Sequence, residues 1–277
     1  MLLILTVHVG AWLIGRHEQP ERLGAPIHTG ELNGFRILWV DKRAANPAGT
    51  FVFIHGTPGR AGVWREQFAN PFPGVDLVAY DRPGFGASRP ATNHPRLQRQ
   101  VEALTNLLAV AAITNRILLV GHSYGGPIAL LAAIQHPDKV AGALLIGADV
   151  SPELEKLRWF QFAANTPLVE CLMPRSLRQC NREILAARGD LNDLRNQLPN
   201  LSVPIVMLHG MRDRLVPVEN VAWLEAQLVA LEKSNLFAKI ELSGANHFIP
   251  WERPADVAEG IRTLVRMAEP GRKQVGQ

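Results

Sequence analysis

The run Gly121-His122-Ser123-Tyr124-Gly125 follows the apolar segment Ile117–Val120 and opens a helical pattern. A serine on a sharp strand-to-helix turn projects its hydroxyl above the sheet edge. Glycines two residues away on either side remove the Cβ atoms that would clash where strand and helix approach. The turn also aims the first amides of the helix at the space beside the hydroxyl, where they stabilise negative charge. The chemistry that suits is attack by Ser123 on an acyl carbon. A serine hydroxyl is a weak nucleophile, so it needs a base, and the base needs a group to orient it. His247, in Gly244-Ala245-Asn246-His247-Phe248, directly follows the strand-like run ending at Leu242. Asp213, in Gly210-Met211-Arg212-Asp213, directly follows the strand-like run Val203–Gly210. Both residues therefore belong on loops at strand carboxyl ends, on the same side of the sheet as Ser123. His122 sits inside the turn and is expected to point away from the Ser123 hydroxyl. His8, His17, His28, His94 and His136 read as anchor, loop or helix residues.

The elements that must position these groups are legible from about residue 27 onward, where short apolar runs alternate with helical patterns. That alternation predicts βαβ units and a mostly parallel, doubly wound α/β sheet. The strand candidates are Phe35–Val40, Phe51–His55, Val75–Tyr80, Ile117–Val120, Val140–Ile146, Val203–His209 and Leu236–Leu242. Several are apolar at every residue, as strands covered by helices on both faces should be. Arg96–Ala112, Tyr124–Gln135, Val218–Leu231 and Ala255–Met267 read as amphipathic helices, the last entered through Pro254. Residues 151–201 hold no strand candidate and read as two or three short helices. The expected organisation is an apolar N-terminal segment (1–24), an α/β core (25–150 and 202–277) and a small all-helical cap (151–201). An insertion there lies over the carboxyl ends of the strands, where open α/β sheets bind ligands. Trp64, Trp159, Phe160 and Phe162 are the candidates for lining an apolar pocket beneath the cap, although aromatic residues at such spacing also serve as simple core.

Composition excludes several classes. The 277 residues are 47% apolar and 19% charged, enough apolar surface to order the chain. The formal charge of +4 is spread without a basic stripe interleaved with aromatics, which argues against a nucleic-acid partner. No Cys and His residues stand at metal-ligand spacing, so no metal or cofactor is expected. Cys171 and Cys180 lie in one short segment and read either as two free thiols or, in an exported protein, as a small disulfide loop. Leu2–Gly15 is almost purely apolar before Arg16, His17 and Glu18. It is shorter than the roughly 20 residues a bilayer span needs and lacks a basic leader and a small-residue cleavage site. Membrane association or export through this segment, or a cytoplasmic protein that buries it, are the open readings.

Five motifs in order carry a resemblance: His55-Gly56-Thr57-Pro58-Gly59, Asp81-Arg82-Pro83-Gly84-Phe85-Gly86, Gly121–Gly125, the Asp213 loop and the His247 loop. Together they make the chain similar to the α/β-hydrolase superfamily over nearly all of residues 27–270, and the order Ser…Asp…His is the one that fold uses. The resemblance implies an oxyanion hole built from the amide of Tyr124 and, because Pro58 has no N–H, that of Thr57. It implies scaffold roles for His55 and for an aspartate–arginine pair in the Asp81–Gly86 turn. In some members the acid follows the preceding strand, where this chain has Asp149, but the Asp213 loop fits the commoner pattern. Relatives that open epoxides or displace halide carry aspartate at the elbow. With Ser123 there, the resemblance implies a serine hydrolase of esterase type, acting on a small-molecule ester or other acyl substrate. A carbon–carbon hydrolase of a vinylogous diketone stays open, with cap arginines (Arg158, Arg175, Arg178, Arg182) to bind a carboxylate. So do a perhydrolase or acyltransferase, and a ligand-binding relative that keeps the three residues without turnover.

Overall fold

The computed structural model describes residues 18–90 and 95–269. Runs that are apolar at every position became interior strands: β3 (Thr50–Ile54), β4 (Asp76–Tyr80), β5 (Ile117–His122), β6 (Val140–Ile146) and β7 (Ile205–Gly210). With β1 (Ile27–Leu32), β2 (Phe35–Lys42) and β8 (Phe237–Leu242) they form one eight-stranded sheet in the order β1-β2-β4-β3-β5-β6-β7-β8. β2 runs antiparallel to both neighbours, and every pairing from β4 through β8 is parallel. This is the doubly wound α/β sheet expected.

Alternation within each strand divides the core. Val52 and Ile54 pack with Leu119 and the helices α2 (Leu97–Val110) and α3 (Gly125–Gln135) on one face. Phe51 and Phe53 pack with Val120, Trp64, Phe68 of α1 (Arg65–Ala69) and the C-terminal helix α9 (Pro254–Ala268) on the other, α7 (Glu219–Ala230) and α8 (Ile249–Glu252) preceding that last helix in the chain. Two-sided burial is why these strands carry no polar alternation. β1 was absent from the expected strands because its residues, IHTGEL, are largely exposed and polar at the sheet edge. Its signal lies in the turn instead: Asn33 and Gly34, both at positive φ, close a two-residue hairpin that pairs Leu32 with Phe35.

Residues 151–201, between β6 and β7, contain the helices α4 (Trp159–Ala164), α5 (Pro167–Glu170) and α6 (Arg175–Arg195) and a short turn at Leu198–Asn200. Polar contacts fasten this cap. Asn220 Oδ1 accepts the amides of Val150 and Ser151, each at 2.9 Å, where the chain leaves the core. Asp190 Oδ2 accepts the Leu97 amide at 2.9 Å, satisfying an orphan donor at the start of α2. Arg82, between β4 and α2, meets Glu183 of α6 with both side chains fully buried. Asp81 and Arg82, in the turn expected to be scaffold, do not bond each other. Asp81 instead accepts the amides of Ala61 and Ala87, and Arg82 turns to the cap.

Cys171 and Cys180 are free thiols. The apolar segment 2–15 lies outside the described residues. Among the described residues, no helix is long and apolar enough to cross a membrane.

Candidate active site

Ser123 stands between β5 and α3 with φ of 54°, a left-handed conformation that a non-glycine residue holds only where its surroundings enforce it. They do so closely. A Cβ on Gly121 would lie 2.2 Å from the Gly125 carbonyl oxygen, and one on Gly125 would lie 2.3 Å from that of Ile54. The Ser123 amide donates to Ile146 at 2.9 Å, and its carbonyl accepts the Gly126 amide at 2.8 Å. The turn is thus tied to β6 on one side and to the first turn of α3 on the other.

His247, on the loop after β8, and Asp213, on the loop after β7, meet with Nδ1 2.7 Å from Oδ2. Asp213 Oδ1 accepts the amides of Leu215 and Val216 at 2.8 and 2.9 Å. Burial pushes the Asp213 carboxyl up. The hydrogen bond from His247, that ring's charge and the two amides outweigh burial and hold it below the usual range. Asp149 has a different neighbour, Glu155. Burial first, then that second carboxyl, push Asp149 up to about 8. Of the two acids considered from sequence, Asp213 is therefore the one paired with His247.

Sequence reading missed one residue beside this pair, His209, and gave His122 no part in holding it. His209, fully buried, places Nε2 3.1 Å from the Val216 carbonyl and 3.5 Å from Asp213 Oδ2. It braces the loop that carries the acid, and burial holds its ring below the ordinary histidine range. His122 does not simply turn away from Ser123. Its Nε2 lies 3.0 Å from the His247 carbonyl oxygen, and its ring lines the same cavity as Ser123. Burial foremost pushes it down to about 3, so it is a neutral buttress for the His247 loop.

The amides of Thr57 and Tyr124 donate to no acceptor among the described residues, and both residues border the space beside Ser123. Gly56 opens that space, since a Cβ there would come within 2.8 Å of the Ser123 Cβ. The loop is held from behind. Arg82 donates to the carbonyls of His55 and Gly56 at 3.0 and 2.9 Å, and its amide donates to His55 Nε2 at 2.9 Å. His55 Nδ1, 2.8 Å from the Gly56 oxygen, is then the protonated nitrogen of a neutral ring. Burial and Arg82 keep that ring uncharged, as a scaffold role requires.

Two cavities meet at Ser123 and His247, sharing Thr57 and Leu215 as well. The first, of about 420 Å³, is walled by Pro58, Val63, Phe248 and Trp251, with one carboxyl, Glu18. The second, of about 490 Å³, runs under the cap past Asp149, Glu155, Lys156, Arg158 and Arg214. None of the four aromatic residues expected in a pocket lines either cavity. Trp64 is wholly buried and packs on Phe53, with ring centres 5.0 Å apart. Trp159, Phe160 and Phe162 face outward from α4, at 80, 50 and 57% exposure. Helical spacing identified an apolar stripe there, but the side of the cap that the stripe faces is a tertiary property.

Glu18 is 7% exposed, and burial pushes its carboxyl up to about 8. Because the folded value lies above the unfolded one, the folded chain holds the extra proton. The stability contributed by this group is therefore fully present below about pH 4.5 and is lost as pH rises through about 8, by on the order of 4 kcal/mol. Glu18→Gln, which keeps the neutral shape, is expected to flatten that part of the fall in melting temperature between pH 5 and 9. Parallel melting profiles for the two proteins would refute it.

Among the described residues no three His, Cys, Asp or Glu side chains converge to hold a metal ion. The profile of the alpha/beta hydrolase family matches residues 51–260, and the chain belongs to that family. It is 28% identical to human protein ABHD8 over 253 residues, 77% of this chain and 53% of that protein, so it spans about half the length of that relative. It is 26% identical over 229 residues to a 2-hydroxy-6-oxononadienedioate/2-hydroxy-6-oxononatrienedioate hydrolase of Pseudomonas sp, covering 69% of this chain and 79% of that one. The crystal structure of a bacterial membrane phospholipase A superposes with a TM-score of 0.66 over 98% of this chain and 97% of that one, at 21% identity. That likeness is one of fold.

Proposed function

We propose that the chain is a serine hydrolase that cleaves a carboxylic ester through an acyl-enzyme. The observation that carries the reading is the 2.7 Å contact between His247 Nδ1 and Asp213 beside a serine held at positive φ. Asp213 fixes the imidazole with its proton on Nδ1, leaving Nε2 free to take the Ser123 proton. Ser123 Oγ attacks the ester carbon, and the carbonyl oxygen gathers negative charge facing the Thr57 and Tyr124 amides. Each such donor is typically worth about 3 kcal/mol of transition-state stabilisation. His247 then returns the proton to the departing alkoxide. Water, deprotonated by the same ring, hydrolyses the acyl-Ser123 ester and regenerates the hydroxyl.

Purified protein mixed with p-nitrophenyl esters of increasing acyl length tests this directly. A burst of p-nitrophenol, with one acyl group recovered on the peptide containing Ser123, is the expected result. The similarity to the Pseudomonas hydrolase supports one alternative, carbon–carbon cleavage of a vinylogous diketone on the same residues. Absence of any acyl adduct or ester turnover, with cleavage of such a diketone, would replace the first reading by the second.

A further inference from the structure

Cleavage of an ester divides the substrate at the carbonyl carbon, and two unlike cavities divide at Ser123. The first, walled by Val63, Phe248 and Trp251, suits an alkyl acyl group. The second is lined by three cations, Lys156 and Arg158 on the segment entering α4 and Arg214 beside Asp213. None of the three has a carboxylate at ion-pair distance among the described residues. By contrast, Arg182 and Arg195 of the same cap are matched with Glu170 and Glu153.

The carboxyls in the second cavity do not cancel these charges. Asp149 and Glu155 are two carboxyls against three cations, and burial first, then the neighbouring Glu155, push Asp149 up to about 8. Asp149 Oδ1 is also buried without a hydrogen-bond partner, which leaves one bonding position in the cavity wall unfilled.

We propose that the second cavity receives an anionic leaving group, an alcohol bearing a phosphate or carboxylate, held by Lys156, Arg158 and Arg214. The inference rests on the ester-hydrolase reading and adds the chemical class of the substrate to it. Cations from two separate segments of chain steer and hold such a group, and rim charges act most strongly at low salt.

The test uses butyrate esters that differ only in the alcohol: ethyl butyrate, butyrylcholine, O-butyryl-lactate and 1-butyryl-glycerol 3-phosphate. At low ionic strength the better of the two anionic esters is expected to exceed ethyl butyrate in kcat/KM by about tenfold, with butyrylcholine below both. Which anionic ester leads distinguishes a phosphate from a carboxylate. Added 0.5 M salt should shrink the ratio, and the Arg158→Gln/Arg214→Gln double variant should lower it about fivefold whatever happens to its absolute rate. An anionic-to-ethyl ratio near one, a preference for butyrylcholine, or a ratio unmoved in the double variant overturns the proposal alone. Failure of the wild type to turn over any butyrate ester, p-nitrophenyl butyrate included, overturns the ester reading and this inference with it.

Discussion

Ser123→Ala is expected to lower kcat for ester hydrolysis by about 10⁶-fold, because the remaining groups act only through the nucleophile that is gone. Removing His247 in addition should cost little more, since residues that act as a unit are not additive. Asp213→Asn should cost about 10⁴-fold, because an amide at that position favours the wrong tautomer of His247. Asp149→Asn should cost less than tenfold, since Asp213 and not Asp149 is the carboxyl that meets His247. Steady-state kinetics on p-nitrophenyl butyrate measures all four. A Ser123→Ala protein that keeps more than a thousandth of the wild-type rate would remove Ser123 from the chemistry. Reversal of the two aspartate effects would assign the acid to the end of β6.

The second large effect concerns stability. Arg82 donates to both oxygens of Glu183 at 2.8 and 3.0 Å and to the carbonyls of His55 and Gly56, all in the interior. Burial alone would push the guanidinium down, and Glu183 more than offsets it. Glu183→Ala leaves that charge buried without its counter-ion, which typically costs 3–5 kcal/mol, so a drop of roughly 10 °C in melting temperature is expected. Because Arg82 also anchors the loop that carries Thr57, the variant should lose activity before it unfolds. Arg82→Met/Glu183→Leu should regain part of the stability, though not all, since the His55 and Gly56 carbonyls lose a donor. Denaturant melts of Arg82→Met, Glu183→Leu and the double variant give the coupling directly. A Glu183→Ala cost below 1 kcal/mol would show that the pair is not what fastens cap to core.

What the sequence determined follows from short-range rules. Five motifs are local, and each states its own geometry: glycines flanking Ser123 mean a tight turn, and an apolar run before Asp213 or His247 means a strand that ends beside it. Strand type and helix placement were readable because burial on both faces erases polar alternation, as in β3 and β5. β1 lay outside that rule, being half solvent, and only Asn33-Gly34 marks it. Everything that depends on which distant residues meet was decided by the tertiary structure. Whether Asp149 or Asp213 faces His247 is set by how the last two loops converge over β6 and β7. Glu18 reaches the first cavity from a segment that precedes the sheet, and Glu183 finds Arg82 across 101 positions of chain. The aromatic residues of α4 showed an apolar stripe but not its direction, since helical periodicity fixes a face relative to its own axis and only packing against neighbours decides whether that face turns inward.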